Sequence, residues 1–326
     1  MTGTVLVTGA GGFVGSRVVA ALEAAGLPVV AGHRRLPPGP SAPAHRALDV
    51  LDPKSLAVAM PGVETVVHTA VGGARDTRVI VDGTRNTLAA ARAAGVRRFI
   101  HLSSVAVYGD VSGEIDEDAS TDRPHGRYGA AKVAAEASCR AAQDAMAVAI
   151  LRPTLIYGPR SAAWTTLYLD RLRDGWPALG AAGRGAANLL HVDDLAGFIV
   201  HLTTHPAPIT GVFNVNGGDI PTWNAYLEAL REAVGAAPGH GAHPGRATLT
   251  ARKLAKAATA AAARAGVTLG PLDRFVARTP SQDEMTRFAT SVRYSTARML
   301  ATGYRPTISL AKGIAGIATW ERAGRP

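Results

Sequence analysis

The chain has 326 residues, of which 47% are hydrophobic and 18% charged, the balance of a globular protein large enough for one nucleotide-binding domain with a smaller second lobe. No run of about eighteen uncharged apolar residues occurs, and the single cysteine, Cys139, excludes an internal disulfide, so we expect a cytoplasmic protein without a membrane-spanning segment. The formal charge is +10, but Arg and Lys residues are scattered along the chain, which argues against a nucleic-acid partner.

The first predicted unit is a strand that turns directly into a helix. Thr4-Val5-Leu6-Val7 is a short apolar run, and the apolar residues from Phe13 to Ala25 follow helical spacing. The glycines between them suit a tight turn, close approach of the backbone to a pyrophosphate, and close packing of helix on strand. The helix N-terminus also presents unpaired N–H groups to phosphates. The dinucleotide contacts predicted in this turn are Gly9, Gly11, Gly12, Phe13, Val14 and Gly15.

The residues after the second predicted strand, 28–32, bear on the choice of dinucleotide. NAD-preferring sites of this architecture place an acidic residue about twenty residues past the glycines, where it holds the ribose 2′-hydroxyl. His33 takes that place here, with Arg34 beside it. A guanidinium can bind a 2′-phosphate with two charge-assisted hydrogen bonds, whereas a carboxylate repels it, so the sequence favours NADP(H) over NAD(H). The alternative is that Arg34 and Arg35 are solvated loop residues.

Two further strand ends are predicted to contact the cofactor. The third strand leads to Asp49 and Val50, and the Asp49 carboxylate could reach the adenine amino group. The fourth strand leads to Thr69 and Ala70, in a turn of small residues that we expect against the far half of the dinucleotide. His68 ends this strand and is predicted to be a packed residue rather than a catalyst.

The candidate catalytic residues follow the fifth predicted strand. That strand, 98–102, opens into Ser104, and after a polar loop a helix begins at Tyr128. Residues four apart lie on one helical face, so the Tyr128 hydroxyl and the Lys132 ammonium can share one site. The position of this pair, just after the fifth strand of a dinucleotide-binding sheet, indicates a catalytic role.

The remaining chain alternates less regularly between strand and helix. A sixth strand leads to Pro153, which we place at the cofactor. We predict an α/β protein, a Rossmann-type doubly wound parallel sheet with a smaller C-terminal α/β substrate lobe. Residues 1–160 would form the dinucleotide-binding domain, with 188–215 returning to it, and residues 161–326 would mainly form the substrate-binding lobe.

No metal site is predicted. His191 precedes Asp193 and Asp194, but a third ligand at suitable spacing is lacking. His240 and His243 lie in a predicted loop, which we interpret as a solvated connection rather than a cluster of metal ligands.

With these residues in place, the chain resembles the extended short-chain dehydrogenases/reductases, the superfamily of NAD(P)-dependent epimerases, dehydratases and ketone-reducing or hydroxysteroid-type dehydrogenases. The resemblance covers essentially the whole chain, with its motifs in the expected order. They are Thr8-Gly9-Ala10-Gly11-Gly12-Phe13-Val14-Gly15, Asp49, Val81-Asp82-Gly83-Thr84, Ser103-Ser104-Val105-Ala106-Val107-Tyr108-Gly109, Tyr128 with Lys132, Leu151-Arg152-Pro153, His191-Val192-Asp193-Asp194-Leu195-Ala196 and Gly303-Tyr304-Arg305-Pro306.

The resemblance implies a role for each candidate catalytic residue. Tyr128 would be the general acid/base, Ser104 would orient the substrate oxygen by a hydrogen bond, and Lys132 would hold the nicotinamide ribose. A free tyrosine has a pKa near ~10, so this chemistry calls for a stabilised phenolate, and Lys132 with the oxidised nicotinamide could supply the positive field. The resemblance further implies a homodimer through helices at 77–95 and 127–143.

The chain departs from the family pattern at two places. Many members carry an asparagine before the Val-x-Gly-Thr segment, where it supports a proton relay through water, and here that place is Ile80. Nucleotide-sugar members often carry an arginine four residues before the histidine of the His-Val-Asp-Asp motif, where it clamps the substrate diphosphate. Ala187 stands there, which argues for a substrate without a nucleotide, although Arg184 could compensate.

Asn188, the Ala/Lys/Arg-rich helix from 249 and the segment from Pro271 to Pro280 resemble the ketone-reducing and hydroxysteroid-type branches of the superfamily. Trp164, Tyr168 and Trp176 could form an apolar substrate wall or could equally be core residues. We therefore expect an NADP(H)-dependent oxidoreductase that interconverts a ketone and a secondary alcohol on a small or medium organic molecule. The alternatives are a nucleotide-sugar epimerase or 4-ketoreductase and, from a different class, a non-catalytic NADP-sensing protein, which would not need Ser104, Tyr128 and Lys132.

Overall fold

A sheet of parallel strands organises the first part of the chain. The computed structural model describes residues 3–36, 44–73, 76–237 and 245–325. The described strands are β1 (Thr4–Thr8), β2 (Val29–His33), β3 (His45–Ala47), β4 (Val63–His68), β5 (Arg98–Leu102), β6 (Gly113–Ile115), β7 (Ala147–Pro153), β8 (Leu155–Tyr157), β9 (Leu189–His191), β10 (Gly211–Val215) and β11 (Val292–Tyr294). Seven of these strands pair in parallel, in the order β10-β7-β5-β4-β1-β2-β3.

Helices follow most of the strands of this sheet, as the alternating pattern predicts. The described α-helices are α1 (Phe13–Ala24), α2 (Pro53–Ala59), α3 (Arg78–Ala93), α4 (Gly126–Arg140), α5 (Leu167–Arg173), α6 (Val192–Thr204), α7 (Trp223–Ala233), α8 (Arg246–Arg264), α9 (Gly270–Arg278), α10 (Gln282–Ala289), α11 (Ala297–Ala301) and α12 (Leu310–Arg322). None of them is long and apolar enough to cross a membrane. The doubly wound Rossmann-type fold predicted from the sequence is confirmed.

The two faces of the sheet are covered by different helices because successive strand residues point to opposite sides. Val5 and Val7 of β1 pack in a buried cluster with residues of α1 and α6. Leu6, between them, packs in a second cluster with residues of α2, α3 and α4. Cys139 of α4 belongs to this second cluster and is fully buried. Burial raises the pKa of its thiol to about 12, so Cys139 is an apolar core residue.

The chain divides into two compact units. The first comprises 1–156, 190–218 and 294–308, and the second comprises 157–189, 219–293 and 309–326. The second unit is built mainly of helices. The sequence predicted one return to the first unit, at 188–215, and the structure places 294–308 there as well. The polar segment 110–127, predicted to be a loop, contains the short strand β6.

Candidate functional site

The turn between β1 and α1 has the shape that the glycine pattern predicts. Gly9 has a φ of +71°, and a Cβ there would lie 2.8 Å from the Cα of Ala70, so the turn passes directly against the residues after β4. A Cβ on Gly15 would lie 2.2 Å from the carbonyl oxygen of Gly9 and 2.9 Å from Oγ1 of Thr69. The structure thereby brings together four of the predicted cofactor contacts from two neighbouring strand ends.

The N-terminus of α1 is open to a ligand. Gly12 precedes the helix, no side chain caps it, and no acidic residue lies in its first turn. Gly11 and Gly12 are exposed, whereas Phe13 and Val14 are half-buried. Backbone N–H groups and the positive end of the helix dipole suit a phosphate anion at this place. The residues present therefore fit the pyrophosphate of a dinucleotide.

The second strand ends beside this turn. His33 is the last residue of β2, and its Nδ1 lies 3.3 Å from the position that a Cβ on Gly11 would take. Arg34 and Arg35 are exposed. His33 stacks on His45 of β3, a contact that the sequence pattern did not indicate. The end of β2 thus carries two exposed guanidinium groups next to a stacked pair of imidazoles.

The other predicted cofactor residues lie at the carboxyl ends of sheet strands, but their side chains are hydrogen-bonded within the protein or buried. Asp49 is half-buried, and its Oδ1 accepts the backbone N–H of Leu51 at 2.9 Å. The Val50 side chain is buried in the core, so only its backbone is available to a ligand. Oγ1 of Thr69 donates to the carbonyl oxygen of Thr8 at 2.7 Å. Pro153 is buried at the end of β7.

The three candidate catalytic residues come together at the end of β5. Ser104 begins a 3₁₀ turn over Val105–Tyr108, and its hydroxyl hydrogen-bonds Tyr128. The residue before α4, His125, donates its backbone N–H to the carbonyl of Ala106 at 2.8 Å, which ties the start of the helix to the same turn. Lys132 lies one helical turn after Tyr128, with its Nζ 5.8 Å from the Tyr128 ring centroid.

The two titratable groups of this trio differ in exposure. Tyr128 exposes 43% of its surface, whereas Lys132 exposes 4% and donates from Nζ to the carbonyl oxygen of Leu102 at 2.5 Å. Desolvation raises the pKa of the Tyr128 hydroxyl, and its hydrogen bond with Ser104 only partly opposes this. Burial lowers the pKa of Lys132 to about 8, against the opposing effects of Cys139 and Glu136. The expected stabilised phenolate is therefore not produced by the chain's own residues.

A buried ion pair lies directly behind the catalytic residues. Glu136, one turn after Lys132, accepts from Arg152 at 2.9 and 2.7 Å in a two-pronged contact, and from the Ser103 hydroxyl at 2.6 Å. Burial raises the pKa of Glu136, but the hydrogen bonds and charges of Arg152 and Ser103, with the nearby Arg140, hold it below its ordinary value. Both members of the pair are almost completely buried. The pair joins α4 to β7 and to the end of β5.

Sequence reasoning did not single out this ion pair. A signal was present, because Tyr128, Lys132 and Glu136 recur every four residues and so share one face of α4. Arg152 lies within the Leu-Arg-Pro motif that carried the family resemblance. The pairing of these two residues over sixteen positions is a tertiary contact that spacing alone does not predict.

Two buried histidines lie side by side on the sheet, beneath the same helices. His68 and His101 are neighbours in the register of β4 and β5, with ring centroids 5.7 Å apart. His68 hydrogen-bonds Oγ1 of Thr8 at 2.8 Å and Oγ1 of Thr84 at 3.1 Å. Burial, with a smaller effect of the Lys132 charge, lowers the pKa of His68 to about 3. His68 is thus a neutral, packed residue, as the sequence analysis predicts.

The two departures from the family pattern both lie in packed surroundings. Ile80 is buried in a small cluster with Ala131 and Ala135, so apolar packing between α3 and α4 occupies the place of the usual asparagine. Ala187 is fully buried within the second unit, where its N–H donates to the carbonyl of Pro221 at 2.8 Å. Arg184 is exposed.

The aromatic residues considered for a substrate wall lie in the second unit. Tyr168 and Trp176 are fully buried and pack on one another and on Phe288. These two side chains are core residues. Trp164 is only half-buried, with Arg287 stacked 5.3 Å from its ring centroid.

The histidine and carboxylate side chains are the candidate metal ligands of this chain. Among the described residues, no group of three or more His, Cys, Asp or Glu side chains lies close enough to hold a metal ion. Nδ1 of His191 accepts the backbone N–H of Asp193 and so caps α6. His240 and His243 lie outside the described residues.

Comparison with known proteins decides the family. A model of the NAD dependent epimerase/dehydratase family matches residues 5–216. The chain belongs to this family. Members of the family depend on a nicotinamide dinucleotide, so the glycine-rich turn and the Ser104, Tyr128 and Lys132 cluster belong to an enzyme of the extended short-chain dehydrogenase/reductase superfamily.

Individual relatives of this family member span reductases, dehydrogenases and epimerases. The chain is 29% identical to 2-alkyl-3-oxoalkanoate reductase of Stenotrophomonas maltophilia, over 71% of this chain and 76% of that one. It is 37% identical to 3 beta-hydroxysteroid dehydrogenase/Delta 5-->4-isomerase of Mycobacterium tuberculosis, over 48% of each chain.

Solved structures share the fold. The UDP-glucose 4-epimerase of Thermus thermophilus, in complex with NAD, matches with a TM-score of 0.71 at 23% identity, over 98% of this chain and 99% of that one. RMD from Pseudomonas aeruginosa, complexed with NADPH, matches with a TM-score of 0.68 at 23% identity, over 98% of this chain and the whole of that one. Because one contains NAD and the other NADPH, the fold itself is compatible with both dinucleotides.

Proposed function

We propose that this protein is an NADP(H)-dependent oxidoreductase that interconverts a ketone and a secondary alcohol on a small or medium organic molecule. The observation that carries the proposal is the cluster of Ser104, Tyr128 and Lys132 at the carboxyl end of β5, in the same unit as the glycine-rich turn. Ligands of open α/β sheets bind at this edge. A protein that only sensed the dinucleotide would have no need of this trio.

The roles of the trio follow from their chemistry. The nicotinamide supplies or accepts the hydride. Tyr128 would donate a proton to the carbonyl oxygen in reduction and accept it in oxidation, while Ser104 holds that oxygen by a hydrogen bond. Desolvation raises the pKa of Tyr128, so its hydroxyl is protonated in the protein without cofactor, which is the form that donates a proton in reduction. Lys132, with a pKa of about 8, would hold the nicotinamide ribose and can exchange a proton near neutral pH.

The proposed substrate has no nucleotide diphosphate. The buried Ala187 stands where a nucleotide-sugar enzyme would place a clamping arginine, and a side chain at this position is enclosed by its own unit. The Stenotrophomonas relative is named for the reduction of a 3-oxoalkanoate, and the mycobacterial relative for a hydroxysteroid, which are ketone and alcohol chemistry. We take these two substrate classes as the first to test.

NADP(H) is the proposed cofactor, because His33 and Arg34 replace the acidic residue of NAD-preferring sites. Residues 161–326 are proposed to bind the substrate. A homodimer through α3 and α4 is also part of the proposal, and light scattering of the purified protein would show its mass directly. These two helices pack against one another within the first unit.

The experiment that tests the function compares substrate classes. Reduction of 3-oxoalkanoates and 3-ketosteroids is followed by the loss of NADPH absorbance, and thermal unfolding is followed with and without uridine- and thymidine-diphosphate sugars. We expect turnover with at least one ketone and no stabilisation by the nucleotide sugars. Saturable stabilisation by a nucleotide sugar at micromolar concentration, with no ketone turned over, would favour the epimerase or 4-ketoreductase alternative.

A further inference from the structure

Two stacked histidines lie at the end of the second strand. His33 ends β2, and His45 begins the neighbouring β3. Their ring centroids are 4.8 Å apart and their planes are 13° from parallel. Because His45 pairs with Ala31, and Ala31 and His33 are two residues apart, both side chains point to the same face of the sheet. The two imidazoles therefore form one unit rather than two independent side chains.

The pair is partly enclosed and incompletely hydrogen-bonded. Nε2 of His33 and Nδ1 of His45 are buried, and neither has a hydrogen-bond partner among the described residues. A buried polar atom without a partner costs about 1–3 kcal/mol, so such atoms usually serve a ligand, a water molecule or a proton. On its other side His33 faces Gly11, in the turn whose shape fits a dinucleotide. The pair therefore borders the phosphate-binding turn directly.

Charged residues adjoin the pair in sequence at the ends of β2 and β3. Arg34 and Arg35 follow His33 and are exposed, and Arg46 lies on the opposite face of β3, where its guanidinium donates to the carbonyl of Ala59 at 3.3 Å. The nearby carboxylate of Asp49, beyond the end of β3, accepts a backbone N–H within its own turn. Burial lowers the pKa of His33, and a smaller effect of His45 acts in the same direction. At neutral pH the imidazole of free His33 is therefore mostly uncharged.

We propose that the His33–His45 pair takes up one proton when the 2′-phosphate of NADP(H) binds, so that affinity for NADP(H), but not for NAD(H), depends on pH. The inference rests on the proposed preference for NADP(H). It makes His45 a residue that determines cofactor specificity, in addition to His33 and Arg34.

The uptake is limited to one proton by the geometry of the stack. A protonated imidazole over a neutral ring is stabilised, whereas two protonated rings 4.8 Å apart repel one another. A dianion within hydrogen-bonding distance raises the pKa of a histidine by about 1–3 units. The phosphate has a second pKa near ~6, so above pH 7 it is already close to a dianion and itself takes up no proton on binding a cation.

The test is titration calorimetry of the full-length protein with NADP⁺ and NAD⁺, which differ only in the 2′-phosphate. Measurements at pH 7.5 in buffers of different ionisation enthalpy give the number of protons taken up. We expect a measurable uptake of at most one proton for NADP⁺ and none for NAD⁺. Between pH 7 and 8.5, where the phosphate is close to a dianion, the Kd for NADP⁺ should rise by up to about tenfold per pH unit, whereas the Kd for NAD⁺ stays constant.

Two variants on the same strand separate the pair from the general positive charge. His45→Gln should abolish the proton uptake and flatten the pH dependence. Arg46→Gln removes a charge from the adjacent residue on the opposite face and should leave the proton uptake unchanged.

The results distinguish the role of the histidine pair from the preference for NADP(H). Tighter binding of NADP⁺ without proton uptake in the unmodified protein would overturn the role of the histidine pair and leave Arg34 as the phosphate contact. Unchanged uptake in a folded His45→Gln protein would overturn it equally. Equal Kd values for NADP⁺ and NAD⁺ at every pH would refute the preference for NADP(H) itself. Ketone turnover is measured separately and does not enter any of these comparisons.

Discussion

Replacement of Lys132 by methionine should remove activity and at the same time stabilise the free protein. Lys132 exposes 4% of its surface, and its Nζ has the Leu102 carbonyl as its hydrogen-bond partner. Methionine has a similar length and no charge, so it can fill the same space. Active-site charges that are held in a poorly solvating environment often cost stability, and removing such a charge recovers it.

The size of the gain follows from the pKa. Burial lowers the pKa of Lys132 from 10.5 to about 8. This difference corresponds to roughly 3 kcal/mol of unfolding free energy lost at pH 7, because the unfolded chain holds the proton more tightly. Against this gain, the carbonyl of Leu102 loses its donor, at a cost of about 1–2 kcal/mol. We therefore expect Lys132→Met to raise the free energy of unfolding at pH 7 by about 1–2 kcal/mol.

The pH dependence provides the sharper check. Below pH 8 Lys132 is protonated in both the folded and the unfolded protein, so the full cost of burying its charge is present. As the pH rises from about 8 to 10.5 the folded protein loses the proton first and the cost disappears. Urea unfolding of the protein without added nucleotide should therefore show the stability of Lys132→Met, relative to the unmodified protein, falling by about 2–3 kcal/mol between pH 7 and pH 10. The advantage that the variant has at pH 7 is then lost or reversed at pH 10.

A matched control uses an exposed lysine. Lys54 lies in the first turn of α2 and is exposed, so Lys54→Met should give a stability difference that does not change between the two pH values. A stability cost from the buried Lys132 charge would be refuted if Lys132→Met were less stable than the unmodified protein at pH 7, or if its stability difference were as independent of pH as that of Lys54→Met.

Three further substitutions test other parts of the site. Tyr128→Phe should leave the Kd for the dinucleotide nearly unchanged and lower turnover by a factor of roughly 10² to 10⁴, and near-normal turnover would remove Tyr128 from the mechanism. We expect the unmodified protein to prefer NADPH over NADH on the order of tenfold to a hundredfold, and Arg34→Ala should erase most of this preference with little effect on the use of NADH. Arg35→Ala serves as the control. Equal losses of activity with NADPH and NADH in Arg34→Ala would contradict the assignment of Arg34 as the 2′-phosphate contact. Glu136→Ala should lower the free energy of unfolding by about 3–5 kcal/mol because it leaves Arg152 buried without its partner, and a loss below about 1 kcal/mol would show that the pair contributes little.

Much of the sheet could be predicted because its strands are short, apolar and regularly spaced. The first βα unit, the strand before Ser104 and the helix with Tyr128 and Lys132 all follow from local patterns, since periodicity and glycine spacing act within about fifteen residues. The cluster of candidate catalytic residues could be placed for the same reason, because strand ends of a parallel sheet meet at one edge.

The features that the sequence did not reveal depend on long-range contacts. Glu136 of α4 forms its ion pair with Arg152 of β7, and His45 stacks on His33 only because β3 lies beside β2. The return of 294–308 to the first unit likewise has no local signature. The sequence also could not decide whether the aromatic residues of the second unit line a substrate site or belong to the core. The burial of Trp176 depends on the packing of the whole unit and not on its neighbours in sequence.

The central claim, hydride transfer between NADP(H) and a ketone at the Tyr128 site, is tested most directly by isotope transfer. NADPH carrying deuterium at both hydrogen positions of nicotinamide C4 is incubated with the protein and a ketone that the protein reduces, and the alcohol product is analysed by mass spectrometry. We expect one deuterium on the carbinol carbon of the product formed by the unmodified protein, and almost no deuterated product with Tyr128→Phe. A product without deuterium, or equal deuterium transfer by both proteins, would contradict this claim.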